Sequence, residues 1–163
     1  MDPSKVKVRD LMNANVVRLD PGTPVDEAIT MLESDRISGA PVVDPGGRVL
    51  GVLSLTDLAR AKESEEVSAG ANRSEYYLPA EGVDGEEDEF ADKDDYSPEV
   101  MPTGTVAEWM SEDVVSVAPK DSVRVACKRM SERGIHRVLV LEEKKLVGIL
   151  SSFDVVRWVA DPG

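Results

Sequence analysis

Two apolar stretches of the chain carry the same pattern. Residues 50–57 and 147–154 each hold a short apolar run that contains a glycine and ends in Ser-x-x-Asp, after which apolar residues resume. A short apolar run predicts a buried strand, and a serine in front of an apolar segment is typical of the start of a helix. The pattern therefore predicts two strand-to-helix junctions.

The similarity extends outward from these junctions over most of the chain. With one residue of gap at the turn near Pro45, residues 8–60 align with residues 106–157, and most identical positions are apolar or turn residues. Those are the positions that a shared backbone needs, so we interpret the chain as two copies of one unit. Each copy is near the size at which an isolated core becomes marginal, which predicts that the copies bury their faces on each other.

Within each copy the periodicity predicts the same succession of elements. A short leading helix contains Val8, Leu11 and Met12 in the first copy and Val106, Trp109 and Met110 in the second. A short strand follows at residues 15–19 and 113–117. Next comes a helix with one apolar stripe, formed by Val25, Ala28, Ile29 and Leu32 and by Val123, Ala126, Cys127 and Met130. A hairpin and a closing helix complete the unit, so the predicted fold class is α/β (α+β) with the order β-α-β-β-α made twice.

Residue types at the ends of these two helices predict where each helix begins and ends. Thr23 is predicted as the N-cap of the first helix, with Pro24 at the first helical position, and residues 121–122 do the same for the second. Gly134 is predicted to end the second helix in the left-handed conformation, whereas Arg36 holds that place in the first copy.

Charge is concentrated in the stretch between the copies. The formal net charge is −13, yet residues 61–104 hold 14 of the 32 acidic residues and 3 of the 19 basic ones. The nearly neutral copies lack the basic surface that nucleic acid or an anionic membrane requires, so we expect neither as a partner. No apolar run approaches a membrane span and residues 1–5 lack the features of a signal peptide, which favours a cytoplasmic location. A single cysteine and a single histidine argue against a disulfide and against a zinc site.

The acidic stretch has two interpretations. Charge runs at residues 86–89 and 92–95 repel each other and favour disorder. Against this, all three tyrosines lie here with two further apolar residues, which indicates parts that dock on the core or on a partner: Tyr76, Tyr77, Tyr96, Leu78 and Phe90. The acidic residues do not follow the spacing of a calcium-binding loop, so no metal is expected.

The two copies resemble a known family. The junction motif, the segment Ile37-Ser38-Gly39-Ala40-Pro41-Val42 and the equivalent Ile135-His136-Arg137-Val138 are similar to those of the CBS domain, named after cystathionine beta-synthase. Two such units in one chain resemble the tandem pair called a Bateman module. The resemblance gives a first repeat at residues 1–62, an acidic insert at 63–104 and a second repeat at 105–161. It implies that the repeats pack as a pseudo-twofold pair.

The resemblance also implies two crossed binding sites for adenosine-containing ligands. The first site combines Ser38, Gly39 and Ala40 with Arg137, Ile149, Ser151 and Asp154. The second site combines His136, Arg137 and Val138 with Val52, Ser54, Thr56 and Asp57. Apolar walls for a base would come from Val16, Val17, Val114 and Val115. On physical grounds a helix N-terminus attracts phosphate, and an aspartate accepts hydrogen bonds from both hydroxyls of a ribose.

The Ser-x-x-Asp motif also has a purely structural interpretation. Before an apolar run it resembles a capping box, in which the serine and the acid fold back on the start of the helix, and this role needs no ligand. In the same way, His136 is interpreted either as a ligand contact or as an exposed residue at a strand end. Arg137 is either a phosphate contact or the partner of an acid.

The function follows from this family resemblance and not from a catalytic motif. No catalytic constellation emerges from the repeats, so the chain is not expected to be an enzyme. The leading hypothesis is a stand-alone regulatory module that binds AMP, ADP, ATP or S-adenosylmethionine and modulates a partner protein. The alternative is a constitutive dimerising adaptor without a nucleotide ligand. A homodimer is expected because Trp109 and Trp158 lie on predicted helices with little chain left to cover them.

Overall fold

The computed structural model describes residues 2–63, 75–78 and 102–162. The first repeat consists of α1 (Val8–Leu11), α2 (Val25–Ser34), β1 (Gly39–Val43), β2 (Val49–Ser54) and α3 (Leu55–Glu63). The second consists of α4 (Val106–Trp109), β3 (Ser116–Val117), α5 (Val123–Arg133), β4 (Arg137–Glu142), β5 (Lys145–Ser151) and α6 (Ser152–Ala160). A 3₁₀ turn, Glu75–Tyr77, lies between the repeats. The mixed α/β (α+β) class is confirmed.

Each repeat is built on an antiparallel hairpin, as predicted. β1 pairs with β2, and β4 pairs with β5. The second hairpin turns through Glu143 and Lys144, whose φ angles of 51° and 68° suit a tight two-residue turn. β3 runs parallel to β4 and completes a three-stranded sheet.

The strands predicted at residues 15–19 and 113–117 are much shorter than expected. The first is reduced to a single parallel bridge between Leu19 and Val42, and the second to the two residues of β3. In both repeats the backbone before this strand pairs with the other repeat. Asn13 exchanges backbone hydrogen bonds of 2.8 and 2.9 Å with Ile149 of the other repeat, and a local pattern does not show such a partner.

The leading segments of the two repeats are exchanged. Asn13 of the first repeat bridges Ile149 of β5, and Ser111 of the second repeat bridges Val52 of β2. In the second bridge both backbone hydrogen bonds measure 2.8 Å. The exchange relates the repeats by a pseudo-twofold axis, and each hairpin depends on a segment from the other copy.

This exchange explains the glycine inside both apolar runs. A Cβ atom on Gly148 would lie 2.7 Å from the sulfur of Met12 and 3.0 Å from the carbonyl oxygen of Asn13. A Cβ atom on Gly51 would collide with the carbonyl oxygen of Ser111. Only a residue without a side chain lets the crossing segment pass this close to the strand.

The apolar stripes of the two long helices face the core, as predicted. The buried residues are Val25, Ala28, Ile29 and Leu32 in α2 and Val123, Ala126 and Met130 in α5. Cys127 is half-buried against the same core. Gly134 ends α5 with a φ of 61°, and Arg36 after α2 has a φ of 55°, which confirms both predicted helix ends.

The start of α2 differs from the prediction. Pro24, not Thr23, occupies the N-cap position. Both residues are held by the second repeat, because the carbonyl oxygen of Thr23 accepts a hydrogen bond of 2.9 Å from the N–H of Val106 and Pro24 bridges Thr105. In the second repeat Ser122, the later residue of the predicted pair 121–122, occupies the N-cap position of α5, and it bridges Lys7 of the first repeat.

Two clusters of buried side chains form the core. The first lies around α2 and includes Val106 from the leading helix of the second repeat. The second lies around β4 and β5 and includes Val8 from the leading helix of the first repeat. It also contains two residues of the insert, Tyr76 and Tyr77, which are 3% and 0% exposed. The charge runs of the insert, Phe90 and Tyr96 lie outside the described residues.

Candidate functional site

The junction between β5 and α6 is a complete capping box. The hydroxyl of Ser151 accepts a hydrogen bond of 3.2 Å from the N–H of Asp154. In return Oδ2 of Asp154 accepts from the N–H and from the hydroxyl of Ser151, both at 2.8 Å. The structural interpretation of Ser-x-x-Asp is therefore confirmed at this junction. The same bonds fix the direction of a half-buried carboxylate at the start of α6.

The equivalent junction between β2 and α3 is buried more deeply. Ser54 is 1% exposed, and its hydroxyl accepts a hydrogen bond of 3.2 Å from the N–H of Thr56. Thr56 itself is exposed, and Asp57 is half-buried in the first turn of α3. The two copies of the motif thus share a backbone position but not their surroundings.

The start of each hairpin lies beside the junction of its own repeat. The carbonyl oxygens of Ser38 and His136 accept hydrogen bonds from the first N–H groups of α3 and α6, both at 2.8 Å. In the hairpins, Gly39 and Arg137 pair with the serines of the two junctions. The next residues on the strands, Ala40 and Val138, are buried. The side chain of His136 is exposed.

A pair of valines predicted as apolar walls lies in each exchanged leading segment. Val16 and Val17 follow the bridge to β5, and Val114 and Val115 follow the bridge to β2. Val16 and Val114 are both half-buried. Val17, however, is 39% exposed, whereas Val115 is 3% exposed. Equivalent wall positions therefore differ in what covers them.

A segment of the insert, residues 75–78, packs on residues that were predicted for the second site, and we call it the tyrosine segment. Its 3₁₀ turn packs against β2 and α3. The hydroxyl of Tyr77 donates a hydrogen bond of 2.7 Å to the carbonyl oxygen of Asp113 and accepts one of 3.0 Å from the N–H of Val115. The carbonyl oxygen of Tyr77 accepts a hydrogen bond of 2.9 Å from the N–H of His136. The tyrosine segment thus contacts both repeats at this site.

Tyr76 lies against residues that were predicted for both sites. The guanidinium carbon of Arg137 lies 5.1 Å from the centre of its ring, which is a cation–π geometry. A Cβ atom on Gly39 would lie only 3.0 Å from Cδ2 of Tyr76. The two tyrosine rings meet edge to face with their centroids 5.2 Å apart. Gly39 therefore borders the tyrosine segment, and Arg137 faces an aromatic ring.

The environment of both tyrosine hydroxyls disfavours charge. Burial raises the pKa of Tyr76 above its ordinary value, and the charge of Arg137 opposes that rise. Burial also raises the pKa of Tyr77, while its hydrogen bond with Val115 acts in the opposite direction. Both rings therefore lie in a part of the site from which water is largely excluded.

The sequence interpretation missed the position of Tyr76 and Tyr77. Docking on the core was one of two interpretations of the insert, but no residue pattern predicted that Tyr76 and Tyr77 would pack at the second site. The available signal was the run Tyr-Tyr-Leu in an otherwise acidic stretch. The structure brings the start of β4 and the β2–α3 junction together around this run. The crossed combination of residues 38–40 with Asp154 in the first site stays a prediction.

Within residues 2–63, 75–78 and 102–162, no group of three or more His, Cys, Asp or Glu side chains is placed to hold a metal ion. Over the same ranges, no helix combines the length and the apolar character needed to cross a membrane.

Comparison with known proteins identifies the repeat. The family model described as the CBS domain matches residues 8–64 and 106–161. The uncharacterized protein MJ1225 of Methanocaldococcus jannaschii is 23% identical over 150 residues, which are 92% of this chain and 41% of that protein. The chain thus spans less than half the length of this relative.

Two solved structures share the fold over almost the whole chain. The CBS domain pair of protein MJ0100, in complex with 5′-methylthioadenosine and S-adenosyl-L-methionine, is 19% identical with a TM-score of 0.63 and covers 97% of this chain and 98% of its own. CBSX2 in complex with AMP is 21% identical with a TM-score of 0.66, covering 96% and 98%. Since the family model matches both repeats and the fold agrees, the chain belongs to the CBS domain family as a tandem pair.

Proposed function

We propose that the chain is a regulatory module that binds an adenosine-containing ligand in the cleft between its repeats. The observation that carries this proposal is the Asp154 carboxylate, which the capping box with Ser151 holds at the N-terminus of the nine-residue helix α6. A fixed carboxylate suits the two hydroxyls of a ribose, and a helix N-terminus favours a phosphate. The geometry therefore supports binding of a nucleotide rather than catalysis.

The first site is the better candidate because its wall is open. Val17, which follows the bridge between Asn13 and Ile149 in the chain, is 39% exposed and would offer a base an apolar surface. Ile149 of β5 completes this side of the site, and residues 38–40 would complete the other. Arg137 would supply the cation for a phosphate, since a guanidinium recognises phosphate through paired donors.

The ligand class is supported by the solved relatives. The structures of MJ0100 and CBSX2 contain 5′-methylthioadenosine, S-adenosyl-L-methionine and AMP, which share an adenosine unit. For this chain we propose the same unit, with AMP, ADP, ATP and S-adenosylmethionine as candidates. A regulated partner protein would respond to the occupied module.

Calorimetric titration with these four compounds tests the proposal. We expect saturable binding of at least one compound, and Asp154→Asn should weaken it by roughly 1–3 kcal/mol because a charged hydrogen-bond acceptor is lost. The unfolding midpoint of the variant should barely move, since asparagine keeps an acceptor for the capping box. A parent chain that binds none of the four would favour the dimerising adaptor.

We also propose that the chain forms a homodimer through α6. Phe153, Val156 and Val159 lie on one face of this helix and are 63%, 61% and 51% exposed. A second copy would remove these apolar side chains from water. Val156→Asp should therefore give a monomer mass in light scattering, whereas Val125→Asp on α5, a control at a position 41% exposed, should leave the dimer intact. A monomeric parent at micromolar concentration would contradict the proposal.

A further inference from the structure

The tyrosine segment lies where a ligand of the second site would lie. We propose that residues 75–78 are an internal competitor, which fills the second site and which a nucleotide must displace in order to bind there. The inference rests on the proposed function, because it takes the second site to have the same ligand chemistry as the first. Its support comes from the hydrogen bonds, the aromatic contacts and the asymmetry of the two sites.

The hydroxyl of Tyr77 uses the hydrogen-bonding groups that a purine would use. It donates to the carbonyl oxygen of Asp113 at 2.7 Å and accepts from the N–H of Val115 at 3.0 Å. An adenine edge presents the same pair, an amino donor beside a ring-nitrogen acceptor. The Tyr77 ring, which is fully buried, also supplies a flat aromatic surface at this place. Tyr77 therefore satisfies two backbone groups that an adenine base could satisfy in its stead.

Tyr76 engages the cation of the same site. The guanidinium of Arg137 lies over its ring at 5.1 Å, an attraction that strengthens when the pair is shielded from water. Tyr76 is 3% exposed, so this pair is largely shielded. Arg137, which the resemblance places in both sites, is also the residue that the proposed function assigns to phosphate. A nucleotide in the second site would thus compete with Tyr76 for Arg137 as well as with Tyr77 for the backbone of residues 113–115.

The first site differs at equivalent positions. Val17 is 39% exposed where Val115 is 3% exposed, and Ser151 is half-buried where Ser54 is 1% exposed. The tyrosine segment packs on β2 and α3, which belong to the second site. Through Tyr76 it also borders Gly39, which the resemblance places in the first site. Over the described residues, the second site is therefore the more deeply covered of the two.

Competition within the chain makes the two sites respond to different ligand concentrations. The apparent affinity of a site falls with the fraction of time for which it is closed. The first site would fill at low ligand concentration, and the second would fill only when ligand displaces the tyrosine segment. Displacement would expose two buried tyrosines and change the surface that the module presents to a partner.

Calorimetric titration with AMP, and separately with S-adenosylmethionine, tests the inference on three chains. These are the parent, the variant Tyr76→Ala/Tyr77→Ala, and that variant with Asp57→Asn added. We expect the parent to bind one ligand tightly and the double variant to bind two, with affinity at the second site raised at least about tenfold. Asp57→Asn should remove the gained binding and leave the first site unchanged.

The outcomes separate this inference from the proposed function. A folded double variant that binds the same number of ligands as the parent, with the same affinity, overturns the inference alone. Absence of binding of both ligands to all three chains overturns the proposed function and the inference with it. If circular dichroism shows that the double variant does not fold, Tyr77→Phe replaces it, because it keeps the ring and removes the hydroxyl. This variant should bind the second ligand several-fold more tightly than the parent, and an unchanged affinity overturns the inference.

Discussion

The two strand-to-helix junctions share one motif but differ in what covers them. Ser54 is 1% exposed beside the tyrosine segment, whereas Ser151 is half-buried and closes a capping box with Asp154. The walls differ in the same sense, since Val115 is 3% exposed and Val17 is 39% exposed. A repeated motif thus specifies a repeated backbone. The chemistry of each copy also depends on segments that lie outside the motif.

The covering segment comes from the part of the chain that composition alone would assign to solvent. The insert carries much of the negative charge, yet Tyr76 and Tyr77 belong to the larger core cluster. Burying two aromatic side chains offsets the entropy lost when a short segment is ordered. Shortening the insert would therefore affect folding, unless the tyrosine segment is kept.

Among the changes that distinguish the two junctions, loss of the Tyr77 ring should have the largest effect on the free energy of unfolding. Tyr77→Ala leaves a cavity at a fully buried position and should lower the free energy of unfolding by about 3–5 kcal/mol. Tyr77→Phe keeps the ring but leaves the groups at Asp113 and Val115 without their partner, which should cost about 1–3 kcal/mol. Urea unfolding followed by circular dichroism measures both. A Tyr77→Ala chain as stable as the parent would show that the covered site is not part of the folded core.

Alkaline pH is expected to lower the free energy of unfolding by a smaller amount. The pKa values of Tyr76 and Tyr77 are raised by burial, so above the ordinary tyrosine pKa of about 10 the unfolded chain loses protons that the folded chain keeps. Stability is therefore fully present below pH 10 and falls above it, by up to about 1.4 kcal/mol per pH unit for each tyrosine. Urea unfolding at several pH values measures the slope. Tyr76→Phe/Tyr77→Phe should reduce it, and an unaltered slope would contradict the assignment.

Much of the fold follows from the sequence because periodicity shows which face of an element is buried. The hairpins and the stripes of α2 and α5 were predicted from local patterns alone. The strand at residues 15–19 and the N-cap at Thr23 were wrong, and each lies at or close to backbone that bonds to the other repeat, through Asn13 and Thr23. The position of Tyr77 was missed because its partners, Asp113 and Val115, lie 36 and 38 residues further along the chain. Local patterns carry no information on such distant partners.

The smallest expected effect on the free energy of unfolding comes from shortening the equivalent wall residues Val115 and Val17. Val115→Ala removes buried methyl groups and should lower the free energy of unfolding by about 1–2 kcal/mol. Val17→Ala makes the same chemical change at the exposed equivalent position and should stay within about 0.5 kcal/mol of the parent. Each is read from urea unfolding in parallel with the parent. Equal losses at the two positions would mean that both walls are covered.

The inequality of the two sites is tested most directly by AMP binding to two single variants of the otherwise intact chain. Asp154→Asn and Asp57→Asn change equivalent residues of the first and second sites, and each keeps an acceptor while losing the charge. The account predicts that Asp154→Asn weakens the tight AMP binding of the parent by roughly 1–3 kcal/mol, whereas Asp57→Asn leaves it unchanged. Equal weakening by both variants, or weakening by Asp57→Asn alone, would contradict the account.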